Sequence, residues 1–389
     1  MSNINDYLLW RGDIKISREH GFNEIDSMIL ARFSYLIFDK IKMNKKETIE
    51  SIANKMKDFD NEEFRYNGDK ELITNLATSN RFKDMLVTDF IENNNKSVEK
   101  QFGAIVVHLP NNEMYVSYLG TDSSIFGWKE DFNMSFMENV PCQISGKEYL
   151  ENIAKKYPLK KIRIGGHSKG GNVAIYSAIA ASENIQKRII KIYNYDGPGF
   201  SKSIIEKYKN NKIISRIETF LPQDSIIGRI LYHKEKMTVI LSKEKGILQH
   251  DIFSWQVLKD DMIKLDKNTD SSEDIDKTIT EWLETTTYEQ RKAFIDGIFD
   301  LFYSTDANTF GEMSKNISTN LPIVMKKYKE FSKEEKETIV EMIKKALSLY
   351  WNNFSGREKE KLVSIKNEYK SKGKVKIKEI EMKLKTKKK

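Results

Sequence analysis

The sequence predicts an α/β fold: a mostly parallel central sheet with helices on both faces, plus N-terminal and C-terminal helical segments. Three observations predict it. From about residue 145 to 242, runs rich in β-forming residues alternate with helix-periodic runs, which is typical of a parallel sheet. Two earlier β-rich runs, joined by a short turn, predict an antiparallel hairpin ahead of it. Outside this part, apolar residues recur at helical spacing.

The elements follow in order along the chain. Residues 23 to about 94 have a helical pattern, with "EIDSMILARFSYLIFDKI" and "RFKDMLVTDFIE" as amphipathic runs. The hairpin strands are predicted at 102–109 and 114–120. The alternating part then predicts a helix at 145–157, a strand at 161–165, a helix at 169–182, a strand at 188–196, a helix at 202–209, a strand at 213–221, a short helical stretch at 225–232 and a strand at 237–242. This layout is that of an α/β-hydrolase.

Beyond Ile252 the strand pattern stops, and residues 272–354 contain charged, helix-periodic segments with capping patterns such as "SKEE". We therefore expect three regions. The first, 1–260, is the hydrolase domain including the N-terminal helices. The second, 261–354, is a helical region packed on that core, and the third, 355–389, is a Lys-rich tail.

Composition excludes several classes of site. A single cysteine among 389 residues excludes an intrachain disulfide and a Cys-rich zinc site. The five histidines show no metal-ligand spacing, so no metal or organic cofactor is expected. No apolar run is long enough to span a bilayer, and Asp6, Arg11 and Asp13 interrupt what a secretion signal would need. The expected location is therefore cytoplasmic.

The positive net charge of +8 is concentrated at the C-terminus. Residues 355–389 contain 14 Lys or Arg and 5 Glu, a net +9, which leaves −1 for the rest of the chain. A tail of this kind is either a solvated extension or a weak contact to an anionic membrane or nucleic acid. No obligate protein partner is evident from the sequence.

The stretch "GGHSKGG" contains the pattern G-x-S-x-G around Ser168. Alone it is weak, since roughly a tenth of chains of this length contain one by chance. Its context strengthens it, because a predicted strand enters the turn and a predicted helix leaves it, as in a nucleophile elbow. We expect Ser168 to be a nucleophile, and the alternative is a plain strand-to-helix turn.

A serine nucleophile needs a histidine base and an orienting acid, which in α/β-hydrolases follow it in the order acid, then histidine. His250, after the last strand, is the predicted base, although His233 stays possible. Asp224 in "PQDSIIG" is the predicted acid because it ends a later strand at the common position. Asp196 in "NYDGPGF", one strand earlier, is the alternative acid. His167 is expected to be structural because it should point away at the tight turn.

Two backbone amides are candidates for an oxyanion hole, namely those of Lys169, directly after the elbow serine, and of Thr121, which follows an early strand. The next residues, "SSIFGW", form a short apolar piece that can lie over the site as a lid. Its candidate substrate-contacting residues are Ser123, Ile125, Phe126 and Trp128. The alternative is an ordinary helix start capped by Asp122 or Ser123.

Together these motifs resemble known families. "YLGTDSSIFGW" followed by "GGHSKGG" looks like class 3 lipases. More closely, "DYLLWRGD", "GGHSKGGNVA", "YNYDGPGF", "LPQDSIIG" and "QHDIFSWQV" resemble the Mbeg-like bacterial family of lipase-like α/β-hydrolases, over residues 6 to 258. Lys169 departs from lipases, where an apolar residue is common. Its side chain either faces an anionic acyl or phosphate-bearing substrate or turns away.

The motifs and the resemblance imply a serine hydrolase that cleaves small-molecule or lipid carboxylic esters, lipase- or esterase-like, through an acyl-enzyme. Thioesterase, phospholipase and acyltransferase activities stay open. The alternative is a catalytically inactive hydrolase-fold module that engages a partner, a membrane surface or nucleic acid through its basic tail.

Overall fold

Residues 2–122, 124–354, 356 and 357 are described by the structure, a computed structural model, and among them nine strands form one sheet. Its strands, in spatial order, are β1 (Lys46–Thr48), β2 (Leu86–Asn95), β3 (Lys100–Leu109), β4 (Glu113–Tyr118), β5 (Lys161–His167), β6 (Ile189–Tyr195), β7 (Ile217–Pro222), β8 (Met237–Ile240) and β11 (Lys264–Leu265). The two strands that come between β8 and β11 in the chain belong to a small second sheet. The second sheet pairs β9 (Val257–Leu258) with β10 (Asp261–Met262).

The large sheet is mixed, which corrects the expected mostly parallel sheet. The four neighbouring pairs from β4 to β8 are parallel. The pairs β1 with β2, β2 with β3, β3 with β4 and β8 with β11 are antiparallel. The alternation of strands and helices predicted the parallel half correctly. The antiparallel half arises from a third strand, β2, beside the predicted hairpin and from short strands at both edges.

The helices flank this sheet. They are α1 (Ile4–Arg11), α2 (Glu24–Phe33), α3 (Ile49–Met56), α4 (Asp69–Thr78), α5 (Ile125–Asn133), α6 (Pro141–Lys156), α7 (Lys169–Ala180), α8 (Glu183–Gln186), α9 (Lys202–Tyr208), α10 (Asp270–Glu284), α11 (Tyr288–Tyr303), α12 (Phe310–Lys315), α13 (Ile317–Glu330) and α14 (residues 333–354). Short 3₁₀ turns lie between them, two of which, Gly246–His250 and Ile252–Ser254, concern the site. None of the described helices is both long and apolar enough to cross a membrane.

Two apolar cores lie between the sheet and its helices, one on each face of the sheet. Alternate residues of a strand face opposite sides of a sheet. Accordingly, Tyr115 of β4 joins one core with residues of α1 to α4, and Val116 joins the other core with residues of α6 and α7. The helix α7 is almost fully buried because it packs against both the sheet and α6. Helices therefore cover both faces, as the sequence predicted.

The run "RFKDMLVTDFIE" was predicted as helix, and this prediction is wrong because most of it forms β2. A bulge between Thr88 and Ile91 shifts the register of β2 against β3, and Asp89 adopts a positive φ of 58° there. A bulge breaks the period-two alternation that marks a strand. Because of this bulge, the sequence pattern did not indicate β2, although it pairs with β3 over most of its length.

Candidate active site

The turn between β5 and α7 has the backbone of a nucleophile elbow. Ser168, between them, has φ 57° and ψ −134°, a conformation that residues with a side chain rarely adopt. Glycines make the close approach possible. A Cβ on Gly166 would lie 2.4 Å from the carbonyl carbon of Gly170, and one on Gly170 would lie 2.3 Å from the carbonyl oxygen of Tyr118. The sharp turn carries the Ser168 side chain at the carboxyl end of β5, as predicted.

His250 and Asp196 form a hydrogen-bonded pair in which Asp196 is buried and His250 is partly exposed. The Nδ1 atom of His250 lies 2.6 Å from Oδ2 of Asp196. Asp196 directly follows β6, has φ 51° and is 1% exposed. Its other oxygen, Oδ1, accepts hydrogen bonds from Ser225 Oγ at 2.5 Å and from the Gly228 amide at 3.1 Å. A carboxylate fixed on both oxygens can hold the imidazole in one orientation, with its Nε2 free for the nucleophile.

Asp224 is the acid that the sequence favoured, but among the hydrogen bonds of the described residues His250 pairs with Asp196 and not with Asp224, so the geometry corrects this prediction in favour of Asp196. The Asp224 carboxylate instead accepts hydrogen bonds from Thr269 Oγ1 and, at 3.0 Å, from Gln249 Nε2. It therefore ties the 3₁₀ turn that carries His250 to the start of α10. Asp224 lies in the turn after β7, and its carboxylate is engaged there by Gln249 and Thr269, so Asp196 is left as the partner of the imidazole.

His167 supports the proposed base. Its ring lies 4.5 Å from the ring of His250, centroid to centroid, and its Nε2 lies 2.7 Å from the His250 carbonyl oxygen. Burial lowers the pKa of His167 well below its usual value, and the neighbouring His250 lowers it further. His167 therefore does not point away from the site as expected, because its ring contacts His250 and lines the same cavity as Ser168.

The remaining histidines are engaged elsewhere. His233 Nδ1 lies 2.8 Å from Glu235 Oε1, and His108 Nε2 lies 3.0 Å from Thr88 Oγ1. Neither of these histidines borders the cavity that contains Ser168. The geometry therefore favours His250 over His233.

The two predicted oxyanion amides, those of Thr121 and Lys169, belong to residues that line this cavity together with Ser168. Neither amide donates a hydrogen bond within the described part of the chain. The Thr121 hydroxyl donates to Asp131 Oδ2 at 2.5 Å. Burial raises the pKa of the Asp131 carboxyl to about 6, against the opposing charge of Lys169. Asp131 thus fixes the loop that carries one oxyanion donor, a role that the sequence did not reveal.

The Lys169 side chain turns away from the cavity towards Glu130. Its ammonium lies 2.9 Å from Glu130 Oε2 and 3.1 Å from Gln101 Oε1, and the side chain is 1% exposed. Burial by itself lowers the pKa of Lys169, but the charges of Glu130 and Asp131 outweigh it and the pKa is raised. Of the two orientations left open by the sequence, this contact matches the one that turns away from a substrate.

A cavity of about 550 Å³ contains both Ser168 and His250 on its wall. Among the described residues, no hydrogen bond joins the side chains of Ser168 and His250. Hydrogen bonds between catalytic groups are often long or poorly aligned in enzymes without substrate. The wall is mostly apolar, and eight of its apolar residues come from α5 and from the C-terminal helices. Its apolar residues from these elements are Trp128, Phe132, Ile279, Trp282, Leu283, Phe294, Ile295 and Phe310.

The predicted lid is the start of helix α5, capped by the Ser124 hydroxyl, which accepts from the Gly127 amide. Of its candidate residues, Trp128 borders the cavity, whereas Ile125 packs against Ile295 and Phe299 of α11. Phe126 is buried but does not line the cavity, and Ser123 lies outside the described residues. The apolar cover is therefore shared with α10 to α12, which the sequence did not indicate.

Comparison with known protein families identifies the family of this chain. A family model described as Mbeg1-like matches residues 76–300, more than half of the chain. The chain belongs to the Mbeg1-like family. No curated protein matches it in sequence.

Solved structures similar to this Mbeg1-like chain are fungal lipases. The Rhizomucor miehei lipase propeptide complex has a TM-score of 0.34 and 15% identity, and the match covers 49% of this chain but only 64% of that chain. Lipase II from Rhizopus niveus has a TM-score of 0.31 and 12% identity, with 47% and 74% covered. Lip2 lipase from Yarrowia lipolytica has a TM-score of 0.31 and 10% identity, with 51% and 75% covered.

Among the described residues, no group of three or more His, Cys, Asp or Glu side chains is arranged to hold a metal ion. The cavity wall of the Mbeg1-like chain brings together the Ser168 hydroxyl, the His250 imidazole and residues Thr121 and Lys169, whose backbone amides are the candidate oxyanion donors.

Proposed function

We propose that this protein is a serine hydrolase of the α/β-hydrolase type that cleaves carboxylic esters with an apolar acyl chain. The observation that carries the proposal is the 2.6 Å contact between His250 Nδ1 and Asp196 Oδ2, beside the strained elbow of Ser168 on the wall of the same apolar cavity. An orienting acid and a histidine near an elbow serine are what a weak hydroxyl nucleophile requires.

The reaction follows from these positions. The Ser168 hydroxyl attacks the acyl carbon while His250 Nε2 takes its proton, and Asp196 stabilises the resulting imidazolium through the Nδ1 hydrogen bond. The amides of Thr121 and Lys169 stabilise the oxyanion. The imidazolium then protonates the leaving alcohol, which gives an acyl-serine. Water, deprotonated by His250, hydrolyses this ester and releases the acid and free Ser168.

The cavity supports an acyl chain as the bound group. Its volume of about 550 Å³ lies within the roughly 300–1,000 Å³ of typical small-molecule pockets. Part of this space is needed for the ester and the alcohol, so we expect medium-length chains to fit best. The wall of aromatic and aliphatic residues from α5, α10 and α11 favours such a chain over a polar one.

A p-nitrophenyl ester series of increasing acyl length tests the proposal. We expect kcat/KM to rise with chain length, because each added methylene is buried against the apolar wall, and to fall once the chain outgrows the cavity. Ser168→Ala should abolish hydrolysis at every length. Ser177→Ala, a buried serine on α7 that does not line the cavity, is the matched control and should remain active. Hydrolysis that survives in Ser168→Ala would mean that another group is the nucleophile, and no hydrolysis by the unmodified protein at any chain length would favour a non-catalytic module.

A further inference from the structure

The outer side of the C-terminal helices carries an apolar surface that the rest of the described chain leaves uncovered. Exposed apolar residues recur along α14 at intervals of three or four residues, apart from the adjacent pair at 350 and 351. They are Val340 (39% exposed), Ile343 (42%), Leu347 (64%), Tyr350 (40%), Trp351 (66%) and Phe354 (36%). Residues at this spacing lie on one face of a helix.

The opposite face attaches α14 to the body of the protein. Ile339 and Met342 are almost fully buried, and the Met342 carbonyl oxygen accepts a hydrogen bond from Trp282 Nε1 at 3.3 Å. Near the end of the helix, Asn353 Nδ2 donates to Thr278 Oγ1 at 3.1 Å. These contacts hold α14 in place, so its exposed stripe is a fixed outward-facing surface.

The neighbouring helix α13 extends this surface. Ile317, Leu321 and Met325, at intervals of four, are 63%, 54% and 48% exposed. Tyr328 of α13 and Val340 of α14 line one shallow groove, whose other wall residues are two lysines and two glutamates, namely Lys336, Lys344, Glu337 and Glu341. We call the exposed apolar residues of both helices the C-terminal apolar face. Large exposed apolar surfaces on soluble proteins mark contact sites.

Positive charge accompanies this face. Residues 317–354 contain seven Lys and five Glu, and the chain continues directly past Phe354 into residues 355–389, with a net charge of +9. An apolar helix face that carries Trp, Phe and Leu, with lysines beside it, is the pattern of a helix lying in the boundary between lipid headgroups and acyl chains. A polybasic segment adds attraction to anionic lipid.

We propose that the C-terminal apolar face docks on a bilayer surface that contains anionic lipid, with Leu347, Trp351 and Phe354 entering the boundary between headgroups and acyl chains, and that the net charge of +9 in the sequence after Phe354 favours anionic lipid. Charge argues against the other occupants. A second copy seated on this face would bring two segments of net charge +9 together. Nucleic acid would satisfy the lysines but leave the apolar residues in water.

Flotation of the full-length chain with vesicles tests this docking. We expect binding to vesicles of phosphatidylcholine mixed with phosphatidylglycerol, and much weaker binding to phosphatidylcholine alone. The double variant Leu347→Glu, Trp351→Glu should bind the mixed vesicles at least about tenfold more weakly, because two apolar anchors become anionic. The matched control is Leu159→Glu, Leu258→Glu, at two residues that are 84% and 66% exposed elsewhere, and it should bind as the unmodified chain does.

Several outcomes would overturn the docking. One is no binding of the unmodified chain to mixed vesicles, and another is equal binding by the Leu347→Glu, Trp351→Glu variant with unchanged circular dichroism. A dimer in sedimentation equilibrium that this variant converts to a monomer would identify a self-association surface instead. Stronger vesicle binding after removal of residues 358–389 would indicate that this segment covers the face. None of these readouts involves Ser168, so the docking and the proposed hydrolysis succeed or fail separately.

Discussion

At the scale of single residues, the geometry assigns different tasks to two aspartates that each follow a strand. Asp196 contacts the His250 imidazole, whereas Asp224 ties the loop of His250 to Thr269. We predict that Asp196→Asn lowers kcat/KM for esters on the order of a thousandfold or more, because an amide no longer stabilises the imidazolium. Asp224→Asn should lower it by less than about tenfold.

Melting temperatures of both variants provide the control for this comparison. Asp224→Asn weakens a loop contact, so we expect its effect to appear in stability more than in catalysis. If Asp224→Asn abolishes hydrolysis in a folded protein and Asp196→Asn leaves it intact, the acid has been assigned to the wrong residue.

Sequence pattern pointed to Ser168 as the candidate nucleophile and His250 as the candidate base, but it favoured Asp224 over Asp196, the aspartate that the structure places against His250. Ser168 and His250 are marked by a local motif and by chain order. Asp196 and Asp224 share the same local signal, a carboxylate at the end of a parallel strand. Only the path of the loop that carries His250 decides which carboxylate the imidazole meets. The sequence also contained no sign that Asp131 accepts a hydrogen bond from Thr121, because the two residues lie ten positions apart and share no motif.

At the scale of elements, a buried ion pair joins the first residue of α7 to α5. The Lys169 ammonium and the Glu130 carboxylate are 2.9 Å apart, with side chains 1% and 0% exposed. We predict that Lys169→Met lowers the free energy of unfolding by about 3 to 5 kcal/mol, because Glu130 is left buried without a counter-charge. The double variant Lys169→Met, Glu130→Gln should recover part of this loss. Urea denaturation measures both.

The matched control is Lys209→Met, which removes an exposed cation 2.7 Å from Glu206 and should not change stability measurably. A double variant that is no more stable than Lys169→Met alone would show that packing of the lysine stem, and not the uncompensated charge, sets the cost.

Elements were predictable where their periodicity is unbroken. The strand β5 and the helix α7 begin within one residue of the predicted positions. The strand β2 was missed because its bulge disrupts the alternation, and β9 to β11 were missed because two-residue strands carry no period. Together with β1, which was also missed, β2 and β11 account for three of the four antiparallel pairs of the large sheet, whereas β9 and β10 form the small second sheet.

At the scale of the whole molecule, the cavity depends on segments far apart in the chain. The elbow lies at residue 168, the amide of Thr121 comes before it, and apolar residues of α10 and α11 complete the wall more than 100 positions later. The sequence showed charged, amphipathic helices at the C-terminus, but a helical period does not indicate which surface the apolar side meets. The apolar cover over Ser168 therefore became evident only in three dimensions.

The central claim is that Ser168 is an activated nucleophile within this assembled site. A fluorophosphonate probe tests it most directly, because an activated serine displaces fluoride and keeps the phosphonyl group on its oxygen. We predict that mass spectrometry of the labelled full-length protein places the adduct on Ser168, that Ser168→Ala remains unlabelled and that Asp196→Asn is labelled far more slowly. Failure of the unmodified protein to react where a control lipase does, or equal labelling of Ser168→Ala, would contradict the account.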